Sequence, residues 1–512
     1  MSVQTAYALS ARSVPTRRRT GLVSILLALL ITGISYFVYQ RLGLLGLVFV
    51  SGALAVGSIF AAISAKFLAI PVMIWFISLM GFRTFFMLRT PGLPDISLDR
   101  SLLIWIALVF IIKSTLARNI RQKIELLDWL LIVHAGYLLA SVLIRKSVGF
   151  NAWTQSYLMG YSAYFVAKYI VAGQWAWIRT IFMMVAVLNI YHGFIGIAEH
   201  FHLDALIWPK SILGQDVNRS FSGRSSGVFM QPAVYGTMMG MQLPFHFYLL
   251  RTTRNPYGRA LLYLTLPVVL LGFYYCYTRG SWIAGIVALL GLGIIGWRKY
   301  GALIGRFAVV GLLVLGTGVI NLQRDDFFNE RMSTEKTITG RIGTLGRAYR
   351  VFVANPLFGC GFFRYNEVKA EYMGTMEVPI YGVIKRTHDV ESTLHDMYIG
   401  ALAEEGLVGV SLLVAIWWQM LKIFRRKWAL RKQGDRFALY AMPVLAGTIL
   451  GYFAGGIAFD YRFFAAMGSL LFFSVGLIAG YAPDGQTDNI EEQPPAPAST
   501  ALGPRIRLAR RN

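Results

Sequence analysis

Cysteine is almost missing from this chain. Of 512 residues only Cys276, inside an apolar run, and Cys360, in a long polar connection, carry a thiol, which argues against a disulfide framework or a metal site. Charge is scarce too, at 14% of residues against 56% hydrophobic, and acids are scarcest, 25 Asp and Glu against 49 Lys and Arg. A soluble fold would need many long helices buried on every face, and the short charged connections do not fit that. The net charge of +24 invites a nucleic-acid partner. Its distribution does not, because the cations cluster between apolar runs and form no recognition module.

What is present is a series of apolar runs near the roughly 20 residues that a membrane-spanning helix needs. They fall at about 21–39, 42–64, 67–82, 101–117, 126–144, 151–172, 176–198, 232–250, 260–278, 281–297, 302–320, 396–421, 437–457 and 461–481. The expected fold is an all-α polytopic membrane protein of about 12–14 transmembrane helices. The "RRR" at 17–19 precedes an apolar run too long for a signal-peptide core and without a clean cleavage site, so it reads as the first retained span. No internal repeat is visible.

Orientation follows from the connections. Placing Arg17 to Arg19 in the cytoplasm also puts Lys113/Arg118/Arg121/Lys123, Arg251/Arg254/Arg259, Arg298/Lys299/Arg306 and "KIFRRKWALRK" at 422–432 there. Both termini are then cytoplasmic. Two polar segments, 199–231 and 321–395, fall on the outer face, and the length of the second suggests a functional lid or helical cap. Within it "TGRIGTLGRAYRVFVANPLFG" reads as an amphipathic helix capped by Thr339 and ended at Asn355-Pro356. The expected organisation is a cytoplasmic N-terminus at 1–20, a transmembrane bundle at 21–198 and a catalytic region at 199–421 containing the periplasmic loop 321–395. Transmembrane helices at 422–481 and a disordered cytoplasmic tail at 482–512 complete it.

Four stretches carry groups suited to chemistry. Arg279 in "YYCYTRGSW" interrupts two apolar runs at the outer boundary; it either snorkels at a turn or clamps a phosphate. Arg224 in "SFSGRSSGVFMQP" sits among small residues that permit close approach of a ligand to backbone, with Arg219 a nearby rival. Arg341, Arg347 and Arg350 fall near one helical face, which is most simply a solvated one. In "STLHDMYIGALAEEGLVG", His395 on a helix shares a stripe with Leu402, Gly406 and Gly409, while Asp396 and Glu405 point aside. Two permanent cations and one proton acceptor at an outer interface suit glycosyl transfer from a diphosphate lipid. Glu404 and Glu405 could orient the histidine or a sugar hydroxyl, and pairing with loop arginines is the favoured reading. His134 and His192, inside apolar runs without an acidic neighbour in sequence, read as satisfied bundle histidines.

These residues resemble the O-antigen ligase and polymerase family. Its outer-face signature of His, a variable residue, nine residues and Gly-x-x-Gly is met by His395, Gly406 and Gly409, with Asp396 where the ligase pattern prefers Asn, Ser or Gln. "TRGSWIAG", "GRSSGVFMQP" and "NPLFGCGFFRY" are similar to three further segments of that family, in the same order over about 215–420. The resemblance implies a GT-C-like, metal-independent, inverting glycosyltransferase without a cofactor in the bacterial inner membrane, its active site facing the periplasm. It implies an undecaprenyl-diphosphate-linked glycan as donor, a glycan or lipid-linked acceptor, no nucleic acid, and other polysaccharide-export proteins as partners. Carried over to this chain, Arg224 and Arg279 would bind the diphosphate and His395 would activate the acceptor hydroxyl; Arg341, Arg347 and Glu405 are further expected substrate contacts. The leading function is a polysaccharide polymerase for exopolysaccharide or O-antigen, a lean that rests in part on Asp396. A ligase joining glycan to the lipid A core of lipopolysaccharide is the alternative, and a lipid-glycan flippase or transporter the non-enzymatic one.

Overall fold

The computed structural model describes residues 67–82, 96–117, 124–213, 223–316, 336–372 and 394–483, with a few isolated positions and short strands besides. The expected spans at 21–39 and, for the most part, 42–64, the two terminal segments, Arg219, and residues 321–335 and most of 373–395 lie outside the described residues. Every apolar run expected from residue 67 onward meets a helix. In chain order these are α1 (Ala69–Ile77), α2 (Leu98–Ala117), α3 (Leu126–Ile144), α4 (Met159–Val166, flanked by π turns), α5 (Trp175–His200), α6 (Pro232–Thr252), α7 (Pro256–Tyr274), α8 (Arg279–Ile295) and α9 (Ala302–Gly316). Then come α10 (Lys336–Ala354), α11 (Met397–Trp428), α12 (Met442–Gly456) and α13 (Ala465–Gly480). The only strands among the described residues are two short antiparallel pairs, Met87–Leu88 with Ile96–Ser97 and Met376–Val378 with Gly382–Ile384.

The chain is an all-α polytopic membrane protein. Five described helices are long and apolar enough to cross a membrane, or six if the bent pair Arg279–Ile295 and Trp297–Val310 forms one span. That pair turns by 112°, where two separate straight spans were expected. Two compact units divide the chain: Met1–Pro71 with Trp105–Asn119, and Val72–Ile104 with Ile120–Asn512. In the first, Trp105 Nε1 donates to Ser64 Oγ at 3.1 Å. All the residues discussed below belong to the second.

Lipid tails are as apolar as leucine, so close backbone approach takes over as the force joining these helices. Small residues supply it where α8 meets α12: a Cβ on Gly447 would lie 2.5 Å from the Ala288 carbonyl oxygen, and one on Gly291 3.3 Å from Gly447 Cα. Polar contacts tie both the turn after α4 and the far end of α11 to the start of α3. Buried Lys168 donates to both oxygens of Asp128 at 2.8 and 2.7 Å, and Arg426 pairs with Glu125.

Two local expectations are corrected. Helix α10 begins at Lys336, so Thr339 lies within it and does not cap it, while its end at Ala354 falls just before Asn355-Pro356 as the Pro rule requires. Of its arginine stripe, Arg347 is not on a solvated face: Thr344, Arg347, Ala348 and Val351 form a buried stripe of the helix, while Arg350 is half-buried. Ala348 and Val351 pack there with Cys360, Tyr365, Leu394 and Ala403.

Candidate functional site

Asp396 begins the site. Its extended backbone (φ −140, ψ 123) makes it the N-cap of α11, and its Oδ1 accepts from the backbone N–H of Tyr398 at 2.9 Å and Ile399 at 2.8 Å. His395 therefore precedes the helix, and the helical stripe shared with Gly406 and Gly409 does not exist. An aspartate cap does what Asn or Ser does at the same position, so the departure from the ligase pattern at 396 is a cap exchanged for a cap. It carries no information about polymerase against ligase.

The two glycines serve a different purpose. At Gly406 the backbone turns to φ 64, ψ −167, and α11 breaks in two. A break strands carbonyls before it and N–H groups after it. The "NPLFGCG" loop takes up both sets: Cys360 N–H donates to the Ala403 carbonyl at 2.9 Å and Gly361 N–H to Glu404 at 3.1 Å, while Leu407 N–H donates to Pro356 at 2.9 Å and Val408 N–H to Leu357 at 3.1 Å. Contact is backbone on backbone; a Cβ on Gly359 would sit 2.4 Å from the Glu404 carbonyl, and one on Gly406 2.4 Å from Gly359 N. Gly409 makes room for the Glu405 side chain, 2.4 Å from where its own Cβ would be.

The break aims Glu404 and Glu405 into the bundle. Glu405 is 1% exposed and its carboxylate accepts from Arg462 Nη1 at 3.0 Å, Tyr157 Oη at 3.0 Å and His134 Nε2 at 3.1 Å. With Nε2 donating, the other ring nitrogen of His134 accepts from Tyr161 Oη at 2.6 Å, which sets the tautomer. Glu404 accepts from Arg462 Nη2 at 3.1 Å, and Asp460 holds the same guanidinium through Nε at 3.0 Å and Nη2 at 2.8 Å. Three buried carboxylates thus share one buried guanidinium, and the hydrogen bonds from Tyr157 and His134 to Glu405 help to hold the excess negative charge.

Several readings change with this network. The glutamate pair does bind an arginine, but it is Arg462 from the α12–α13 connection, not one of the 321–395 loop. His134 has an acidic partner, placed 271 residues away in sequence. Glu405 faces no solvent, so as a substrate contact it is not accessible in this structure. His192 is only half satisfied: its Nδ1 meets Gln242 Oε1 at 3.1 Å, and its buried Nε2 meets no hydrogen-bond partner among the described residues.

Arg224, Arg279 and His395 are brought to one end of the bundle by a short series of contacts. Arg224 Nη2 donates to Thr278 Oγ1 at 2.5 Å and its Nε to the Cys276 carbonyl at 3.3 Å. Thr278 is the N-cap residue of α8, and Arg279 opens that helix, half-buried and with no hydrogen bond or ion pair among the described residues. Next, a Cβ on Gly280 would collide with Ala458 Cβ at 2.3 Å, so the start of α8 lies directly on the α12–α13 connection. Phe459 in that connection packs on His395, ring centroids 5.6 Å apart. The turn that carries Asp460 and Arg462 is therefore the piece joining Arg279 to His395. Arg347 lies near this group, one residue before Ala348, which packs with Leu394; it is 7% exposed, and its Nη1 meets no hydrogen-bond acceptor among the described residues. The Arg341 side chain lies outside the described residues.

Sequence reasoning read His134 only as a bundle histidine and passed over Asp460 and Arg462. The signal for the last two was "FDYRFF", an acid and a base close together between two apolar runs.

No curated protein matches this chain. Residues 264–414 match the family model described as O-antigen ligase. The matched interval contains Arg279, the "NPLFGCG" loop, His395 and both signature glycines, and leaves Arg224 outside. Over residues 264–414 the chain is thus similar to the O-antigen ligase family.

Proposed function

We propose that this protein is a glycosyltransferase that moves a glycan from a lipid diphosphate to a hydroxyl of an acceptor glycan at the periplasmic face. The reading rests on one observation: the contacts through Thr278, Gly280, Ala458 and Phe459 gather Arg224, Arg279 and His395 at one end of the bundle. In this reaction the bond between the anomeric carbon and the diphosphate oxygen breaks as the acceptor oxygen bonds to that carbon from the opposite side. The acceptor proton passes to the His395 imidazole, and the two guanidinium groups hold the departing diphosphate. Both cations are side chains of the protein, so the mechanism needs no metal ion. Arg347, and Arg341 on the same helix, are suited to the sugar-phosphate portion.

Polymerisation of surface polysaccharide is one reading of this transfer, and the Asp396 cap lends it no support. Ligation to a lipid A core is the second reading, favoured by the description of the matching family model. Glycan analysis of a deletion strain separates them: single repeat units at the surface mean polymerase, and long chains left on the carrier lipid mean ligase. For the chemistry itself, purified protein with lipid-linked glycan is the assay. His395→Ala abolishes product while the protein stays in the membrane, Arg279→Ala chiefly raises the donor KM, and a chelator changes nothing. Wild-type turnover by His395→Ala would refute the mechanism, and absence of product from an otherwise competent reconstitution would favour transport.

A further inference from the structure

Backbone N–H groups in a glycine- and serine-rich turn form a ready anion cradle, and "GRSSG" beside Arg224 looks like one. Its anion is already supplied by the protein. Glu199, in the last turn of α5, accepts through Oε2 from Ser226 N–H at 2.9 Å and Gly227 N–H at 2.7 Å, and the Ser226 hydroxyl lies 3.4 Å from Oε1. The same helix end holds the turn at two further points. Ser225 Oγ donates to the Gly196 carbonyl at 2.6 Å, and the His200 ring stacks on Tyr275 at 3.8 Å, whose carbonyl in turn accepts from Ser225 N–H at 2.9 Å. Gly227, at φ +53, is closed on its other side by the Tyr235 ring, 2.7 Å from where a Cβ would be. These contacts hold the turn from both sides, and in this position Arg224 reaches Thr278 next to Arg279.

We infer that Glu199 is a positioning residue for donor binding: its carboxylate fixes the 224–227 turn so that Arg224 is held beside Arg279. This rests on the donor-site reading proposed above and sharpens it. Because Glu199 occupies the N–H groups of Ser226 and Gly227, those groups are not the phosphate cradle, and the diphosphate of the donor is held by guanidinium side chains.

The test uses detergent-purified full-length protein, with undecaprenyl diphosphate as the probe and its Kd measured by ligand-induced thermal stabilisation. Arg224→Ala weakens binding about tenfold or more, the scale expected for loss of one charge-assisted contact. Glu199→Ala matches that loss. Glu199→Gln, whose amide oxygen can still accept from the turn, stays within about threefold of wild type. The double variant Glu199→Ala/Arg224→Ala binds no more weakly than Arg224→Ala, because the two residues act through one contact. If Glu199→Ala does not yield folded protein, Glu199→Asp replaces it, since the shorter side chain withdraws the carboxylate from the turn. A multiplicative loss in the double variant, or unchanged binding in Glu199→Ala or its replacement, overturns the inference alone. Unchanged binding in Arg224→Ala overturns the donor-site reading and this inference with it.

Discussion

Gly406→Ala is the most direct challenge to the architecture of the site. The backbone there (φ 64, ψ −167) lies in a region open almost only to glycine, and holding an alanine in it costs about 1–3 kcal/mol. The methyl group would also stand 2.4 Å from Gly359 N and 2.5 Å from the Leu357 oxygen. Both are backbone atoms, so the "NPLFGCG" loop must withdraw. Losing two of the four exchanged hydrogen bonds adds about 2 kcal/mol at roughly 1 kcal/mol each. The total is about 3–5 kcal/mol, and the carboxylates of Glu404 and Glu405 lose their aim at Arg462. Gly434→Ala is the control for a positive φ alone: its left-handed backbone (φ +78, ψ 12) is a milder strain than that at Gly406, and nothing lies within 4 Å of the new methyl. Thermal denaturation of both variants in detergent, read by loss of the monodisperse size-exclusion peak, should show a clearly larger drop for Gly406→Ala, accompanied by loss of glycan product. Equal shifts would mean that the loop does not clamp the broken helix, and the reasoning would fail.

Arg462→Met leaves Glu404, Glu405 and Asp460 buried without their cation, a loss of about 3–5 kcal/mol; the yield of monodisperse protein should collapse and recover in part when Glu404→Gln is added. Arg462→Lys should not substitute, because one ammonium cannot hold three carboxylates as the planar fork does. Burial raises the carboxyl groups of Asp396 and Asp460 above their ordinary range. A raised folded-state value means that these groups favour folding in the protonated form, fully so below the unfolded value near 3.8, and that this contribution is lost as pH rises through the folded value. Their share of stability therefore grows on acidification, and Asp460→Asn should flatten the acid side of a melting-temperature profile. Burial also pushes the thiols of Cys276 and Cys360 up to about 12. Neither cysteine should react with maleimide at pH 7.5 before denaturation, and rapid labelling of either would contradict its placement.

Much of the helical framework was legible in the sequence, because a membrane demands long uninterrupted apolar runs and α3, α5 and α11 supply them. The cluster of groups at the site was only half legible. Motif order pointed to Arg224, Arg279 and His395, and the contacts do gather them. The position of His395 was misread although its signal was present: an Asp directly before an apolar run is an N-cap, which puts the preceding residue outside the helix. Gly406 was placed on a continuous helical stripe with His395, since a glycine that lets helices approach and one that breaks a helix look alike in sequence. The partners of Glu405 could not be read at all. His134 and Arg462 stand 271 and 57 residues from it, and pairings over such distances follow from how helices assemble, a matter on which local spacing is silent.

The four hydrogen bonds that close the break in α11 involve main-chain atoms alone. The identities of Leu357, Ala403, Leu407 and Val408 therefore matter little to that closure, whereas the number of residues between them matters a great deal. Removing or adding one residue between Pro356 and Gly361, or between Ala403 and Val408, would slip the two strands of contact past each other by one register. Drift in this region should accordingly run through substitution and avoid insertion or deletion, and a grafted loop from a distant protein should function only when its length is conserved to the residue.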